Sequence, residues 1–313
     1  MTHEQPRSFR ARRPPLLAEG ARVALVAPAG PLRDASDLER AVSNVRSFGW
    51  EPVVGDNAMS RTGYFAGDDM ARVSDLNRAL GDDSIDAVWC LRGGYGAMRI
   101  LDAVDFESVV RRPKPLIGYS DITALHCAFA ARSEVVTYHG PTARAMLSGF
   151  SRESLACALV HGGDSCGVAP DARVIREGTA QGVLAGGNLA VLSALSGTPY
   201  APRLANTILV LEDIDEAVYR VDRMMRQLLM AGLLDGVRAI VFGACTNCPE
   251  ASDDGARRLD DVIIEISDAL GVPAIAGVPV GHIDDQWTLP LGAAASLDTE
   301  RKSLSVLPNL TIA

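Results

Sequence analysis

No apolar run in this 313-residue chain approaches the ~18–20 residues needed to cross a bilayer, so no membrane partner is expected. Positive charge is in short supply as well. The formal net charge is −9, whereas a phosphate backbone calls for a basic surface, and a nucleic-acid partner is not expected either. Cysteine is sparse and scattered: six residues, several inside apolar runs, form no disulfide framework. Cys245 and Cys248 make one CxxC, which lacks the second pair or nearby histidine that a zinc site wants. A metal or redox role for that pair stays as a minor alternative. There is no EF-hand spacing among the acids, no internal repeat and no low-complexity segment.

The N-terminus has early arginines and a later apolar stretch, like a signal peptide. Pro14, Pro15, Glu19 and Arg22 interrupt any hydrophobic region, and "RVALVAP" is short enough to be a strand. Residues 1–15 read as a loose tail and the protein as cytoplasmic.

What is present is the composition of a globular protein with a sizeable core: 48% hydrophobic and 22% charged residues. The length suits two ordinary domains. Strands are expected at 22–28, 51–54, 86–92, 115–119 and 134–140. Helices are expected between them at 36–50, 68–82, 97–104 and 121–132, with Met70, Val73, Leu76 and Leu80 on one face of the second. This alternation implies a parallel sheet covered on both faces. Residues 161–181 are glycine-rich and polar, and read as a linker with short strands. They separate a domain at 16–160 from one at 182–313. In the latter, "GVLAGGNLAVLSALSG" reads as strand, glycine turn, helix. Strands at 206–213 and 238–243 follow, with helices at 216–234 and 258–271.

In open parallel sheets, active groups collect at the carboxyl ends of strands. Ser120 passes that filter, standing between "PLIGY" and a helix. Glu212 passes at the end of "TILVLE", and His282 lies after an apolar run and a glycine. An imidazole that takes the serine proton, itself oriented by a carboxylate, makes a nucleophile of a hydroxyl. Backbone N–H groups at the new helix, and at "RGGYG" (92–96), could face an oxyanion. Each residue also has an ordinary reading. A serine before a helix is most often an N-cap, acids before a helix suit its dipole, and His139, at another strand end, competes with His282. The serine is not in a G-x-S-x-G elbow, and "GGYG" is not a G-x-G-x-x-G fingerprint.

Six blocks carry more specific information. "LRGGYGAMRILDAVDF" (91–106), "LIGYSDITALH" (116–126), "TYHGP" (137–141), "GGNLAVLSALSGTPYAP" (186–202), "LEDIDEAVYRVDRMMRQLLMAGLLDGVRAIVFG" (211–243) and "GVPVGHIDDQWTLPLGAAASLD" (277–298) resemble the LD-carboxypeptidases in sequence and order. That family includes muramoyl-tetrapeptide carboxypeptidases and microcin C self-immunity peptidases. The resemblance implies a doubly wound, flavodoxin-like α/β N-terminal domain and a mixed α/β C-terminal domain. It implies a serine peptidase with the triad Ser120, Glu212 and His282, without metal or other cofactor. The oxyanion donors fall on the backbone of Gly94 and Asp121, with Gly93 open as an alternative to Gly94. The implied reaction splits the amide between an L-centre and a C-terminal D-residue, usually releasing D-alanine from a murein tetrapeptide during cell-wall recycling. The implied assembly is a homodimer. Arg92, next to the glycine turn, is a candidate for the substrate carboxylate, or else a scaffold arginine.

Within the family, self-immunity peptidases tend to carry a longer, aromatic-rich insertion before the L-E-D block. Here Ser120 and Glu212 are 92 positions apart, and 142–206 holds Phe150 and Tyr200 but no tryptophan. Murein tetrapeptide is therefore favoured over an aminoacyl-sulfamoyl nucleotide. A non-catalytic two-domain protein binding a small ligand is the alternative from another class.

Overall fold

The computed structural model describes residues 11–249 and 257–308. Residues 1–10 of the expected tail lie outside the described residues. The chain runs β1 (Arg22–Val26), α1 (Ala35–Ser47), β2 (Glu51–Val54), α2 (Asp69–Gly81), β3 (Ala87–Cys90), α3 (Ala97–Ile100), α4 (Phe106–Arg111), β4 (Leu116–Gly118), α5 (Thr123–Arg132), β5 (Thr137–His139) and α6 (Gly149–Ala156). It continues through β6 (Gly167–Val168), β7 (Arg173–Arg176), β8 (Thr179–Asn188), α7 (Leu189–Ala194), β9 (Thr207–Ile214), α8 (Val218–Met230), β10 (Ala239–Thr246), α9 (Leu259–Leu270), β11 (Ala274–Ala276), β12 (Leu289–Leu291), β13 (Ala294–Asp298) and β14 (Ser303–Val306). Among the described residues no helix is long and apolar enough to cross a membrane.

β1, β3 and β4 are apolar and almost wholly buried, as strands of a sheet covered on both faces must be. The first sheet has the order β12-β5-β4-β3-β1-β2, with β1 to β5 all parallel. The order 2-1-3-4-5 is the doubly wound arrangement, which gathers loops at the carboxyl edge. The sixth strand, β12, comes from the far end of the chain. It pairs antiparallel with β5, Leu289 opposite His139. The second sheet runs β6-β14-β13-β8-β9-β10-β11-β7, parallel from β8 to β11 and antiparallel at both margins. The stretch 161–181 thus contributes β6 and β7 to this sheet's two edges.

Two local expectations are corrected. Met70 is 73% exposed, because it sits off the buried stripe of α2. The inward place is taken by Arg72, whose Nη1 donates to the carbonyls of Pro28 and Gly96 at 2.7 and 2.8 Å. No separate turn follows "GVLA" either. β8 runs through Gly186 and Gly187 directly into α7. Both glycines have φ near +133°, and a Cβ on Gly187 would lie 2.5 Å from the Thr123 hydroxyl. The glycines here permit close approach of two layers rather than a change of direction. The helices α4 and α6 have no counterpart in the sequence reading.

The two sheets share one apolar core, in which Leu125, Ala128 and Phe129 of α5 join Leu189 and Leu192 of α7. Polar links reinforce the seam. Asn188 N donates to Thr123 Oγ1 at 3.0 Å, and Gln286 N donates to Ser151 Oγ at 2.8 Å. The segment between β11 and β12 is the chain's passage from the second sheet back to the first. His282 lies on that passage.

Candidate active site

Ser120 opens a 3-10 turn, Ser120–Ile122, between β4 and α5. Its φ is +64°, a left-handed conformation that costs a serine of order 1 kcal/mol or more and that surrounding structure must impose. The turn lifts the hydroxyl off the carboxyl edge of the sheet. His282 Nε2 lies 3.1 Å from Ser120 Oγ, and His282 Nδ1 lies 2.8 Å from Glu212 Oε2. The Glu212 side chain is fully buried and that of His282 is 17% exposed. Glu212 is fixed by β9, while the backbone of His282 is held by Thr246 Oγ1, which donates to its carbonyl at 3.0 Å. Nδ1–H donating to the carboxylate leaves Nε2 as the acceptor facing the serine hydroxyl. The three side chains thus form one hydrogen-bonded chain from two strand ends in different sheets and the loop between β11 and β12, with the serine partly exposed.

The glycine turn supports the elbow from the side. A Cβ on Gly93 would stand 2.8 Å from Ser120 Cβ, so only glycine lets this loop lie against the serine. Asp121 is buried, and its Oδ2 accepts from Ala97 N at 2.8 Å, tying that turn to the elbow. Burial pushes its carboxyl up to about 6, against the opposing pull of the backbone N–H groups it accepts from and of Arg72. Asp213, beside the glutamate, is also raised to about 6 by burial. Its carboxylate accepts from Asn188 Nδ2 and Ala190 N, at 3.0 and 2.9 Å. Tyr119 packs against the His282 ring, tilted by 57° at a centroid distance of 4.8 Å. Burial raises the pKa of its phenol, and the charge of Glu212 adds to the effect.

A cleft of about 210 Å³ opens here, lined by Tyr119, Pro141, Met146, Leu147, His282 and Asp284 among others. A larger cavity of about 770 Å³ touches none of Ser120, Glu212 or His282. Volume therefore does not mark the chemistry in this molecule.

Residues 23–140 match the LD-carboxypeptidase N-terminal domain and residues 181–297 the LD-carboxypeptidase C-terminal domain. A Streptomyces coelicolor protein named as a carboxypeptidase is 39% identical over 94% of this chain and 96% of its own. The murein tetrapeptide carboxypeptidase of Pseudomonas aeruginosa is 35% identical over 90% and 94%. The chain belongs to the LD-carboxypeptidase family. Among solved structures, the muramoyltetrapeptide carboxypeptidase of Oxalobacter formigenes is 30% identical, with a TM-score of 0.81, over 91% of this chain and 98% of that one. A microcin C7 self-immunity protein bound to glutamyl sulfamoyl guanosine has a TM-score of 0.87 at 22% identity, over 97% and 100%, a likeness of fold.

For this LD-carboxypeptidase, the sequence candidates fall into two groups. Ser120, Glu212, His282, Gly93, Gly94 and Asp121 converge. His139 does not join them. It is fully buried behind Tyr119, its ring 5.9 Å away, and neither ring nitrogen has a hydrogen-bond partner among the described residues. Burial, with the nearby His126 and His282, keeps its pKa well below that of a free imidazole. Arg92 is half-buried and donates from Nη1 to Pro31 O at 2.7 Å. Cys245 and Cys248 are joined as a disulfide beside the site, with Thr246 between them. Sequence reasoning missed the side-chain roles of Asp121, Thr246 and Tyr119. Only adjacency to Ser120 singled out two of these, and nothing marked Thr246.

Proposed function

We propose that this enzyme removes a C-terminal D-amino acid from a peptide whose preceding residue is an L-centre, and that its substrate is a murein tetrapeptide losing D-alanine in cell-wall recycling. The hydrogen-bonded chain Ser120–His282–Glu212 carries the reading. Ser120 Oγ attacks the scissile carbonyl while His282 Nε2 takes its proton. Glu212 keeps the imidazole in the right tautomer and stabilises the imidazolium. The N–H groups of Gly94 and Asp121 face the developing oxyanion. His282 then gives its proton to the departing amine, and the D-amino acid leaves with the C–N bond broken. Water, deprotonated by the same imidazole, cleaves the Ser120 ester and restores the hydroxyl.

The test is incubation with murein tetrapeptide and, separately, with an aminoacyl-sulfamoyl adenosine, followed by mass spectrometry. Loss of one D-alanine from the first alone supports the proposal. Cleavage of the second alone replaces the substrate with the microcin-type one. A fluorophosphonate that labels wild type but not Ser120→Ala distinguishes either enzyme from a binding protein. The family resemblance also carries a cytoplasmic location and a homodimer into this proposal. Light scattering of the purified chain checks the dimer.

A further inference from the structure

The relay explains bond cleavage but not why cleavage should stop at the chain's end. Four loops at the carboxyl edge of the first sheet each bring an arginine to one place: Arg33 after β1, Arg61 after β2, Arg92 after β3 and Arg144 after β5. Arg61 Nη2 donates to Leu32 O and Arg92 Nη1 to Pro31 O, both at 2.7 Å. These bonds wrap the two guanidinium groups around the β1 loop. The guanidinium carbon of Arg92 lies 3.6 and 3.9 Å from where a Cβ would stand on Gly30 and Gly94, so it rests on the glycine turn beside Ser120. Arg144 directly precedes Ala145 and Met146, which line the cleft with His282.

One carboxylate is bonded to this group. Asp37 is shared by Arg40 at 3.0 Å and Arg144 at 3.3 Å, while Arg40 Nη1 also donates to the Arg144 carbonyl at 3.1 Å. Arg144 Nε is buried without a hydrogen-bond partner among the described residues. Burial first, then repulsion from Arg144, Arg33 and Arg61, lowers the pKa of Arg92. Positive charge is therefore concentrated beside the nucleophile of a chain whose net charge is −9. Among the described residues the cleft itself is lined by one carboxylate, Asp284, and the arginines flank it through Arg144, the neighbour of Ala145. A like-charged group belongs away from that carboxylate.

The leaving D-residue ends in a carboxylate one residue beyond the scissile carbonyl, about 3.5 Å along the chain. The Arg92 guanidinium stands at similar remove from the glycine turn. We infer that Arg92 and Arg144 form the subsite for the free C-terminal carboxylate of the substrate, with Asp37 a positioning residue that aims Arg144. The inference rests on the proposed LD-carboxypeptidase reaction. It makes the enzyme an exopeptidase by charge: a blocked or extended C-terminus gives the guanidinium forks nothing to bind bidentately.

The experiment compares the murein tetrapeptide with its C-terminal carboxamide, measuring kcat and KM for each. Wild type prefers the free acid. In Arg92→Gln and in Arg144→Gln the ratio of the two kcat/KM values falls about 10- to 100-fold, chiefly through KM of the acid. Arg144→Lys restores part of the preference, because it keeps the charge and loses the fork. Asp37→Asn lowers the ratio by a smaller factor. Damage to folding alone cancels in the ratio, and fluorophosphonate labelling of Ser120 shows that a competent fold is measured. An unchanged ratio in both glutamine variants, or an equal loss on both peptides, overturns the subsite while leaving the reaction standing. Wild type that cleaves neither peptide overturns the proposed reaction, and this inference with it.

Discussion

Asp121 Oδ2 accepts a hydrogen bond from Ala97 N at 2.8 Å, so the serine elbow and the glycine turn are fastened together by a buried carboxylate. The fold holds that proton more tightly than the unfolded chain does, about 6 against about 4. Between those values the folded state binds more protons, so stability must fall as pH rises from about 4 to about 6. Asp213 has the same sign. Thermal melts of Asp121→Asn and Asp213→Asn are expected to show a flatter pH dependence across that window than wild type. Asp121→Ala removes the acceptor altogether, destabilising by about 1–3 kcal/mol and lowering kcat as the turn loosens.

Glu212→Gln keeps the shape of the site, removes the charge that stabilises the imidazolium and puts a donor into an acceptor-only group. A carboxamide N–H donating to Nδ1 forces the ring proton onto Nε2, where it cannot accept from Ser120. A fall in kcat of about 10³- to 10⁴-fold is expected. The rate of fluorophosphonate labelling at Ser120 should fall in parallel. Unimpaired labelling would mean that the carboxylate does not orient the imidazole.

Gly93→Ala tests the close approach of the glycine turn. Its Cβ would meet Ser120 Cβ at 2.8 Å, a contact relieved only by moving the turn or the nucleophile. Overpacking of this kind costs about 1–3 kcal/mol of stability. Displacement of the oxyanion donors should lower kcat by about 100-fold. Steady-state kinetics beside a melting curve separates the two effects.

Lys114 is a test of stability far from the chemistry. Its buried ammonium donates to the carbonyls of Ala79, Leu80 and Asp82 at 2.8, 2.9 and 2.6 Å, closing the C-terminus of α2. Burial lowers its pKa to about 8. Lys114→Met fills the space but leaves three carbonyls without a donor, and should destabilise by about 2–4 kcal/mol in urea unfolding. The kcat of the folded variant should stay within twofold of wild type.

The parts of this protein that were legible beforehand are those that short-range rules govern. β1, β3 and β9 show themselves as apolar runs, and α1, α8 and α9 as helical spacing with polar outer faces. Reading which groups stand at strand ends needs only the direction of the chain. Ser120 and Glu212 were found that way. Met70 was misplaced because one apolar residue near a stripe looks like part of it, and a buried Arg72 with backbone acceptors cannot be foreseen from its own letter.

What the sequence by itself determined was the set of elements, the alternation that makes the sheets parallel, and the residue types able to move a proton. Spacing left both His139 and His282 open and the family resemblance pointed to His282; tertiary structure decides how that imidazole reaches the serine. The chain leaves the second sheet after β11, β12 pairs with β5 in the first, and the passage between them carries His282 over Ser120. His139, though nearer in sequence, points into the core behind Tyr119. The physical reason is that local sequence fixes the path of a few residues. The distance between two strand ends in different sheets depends on how every side chain between them packs.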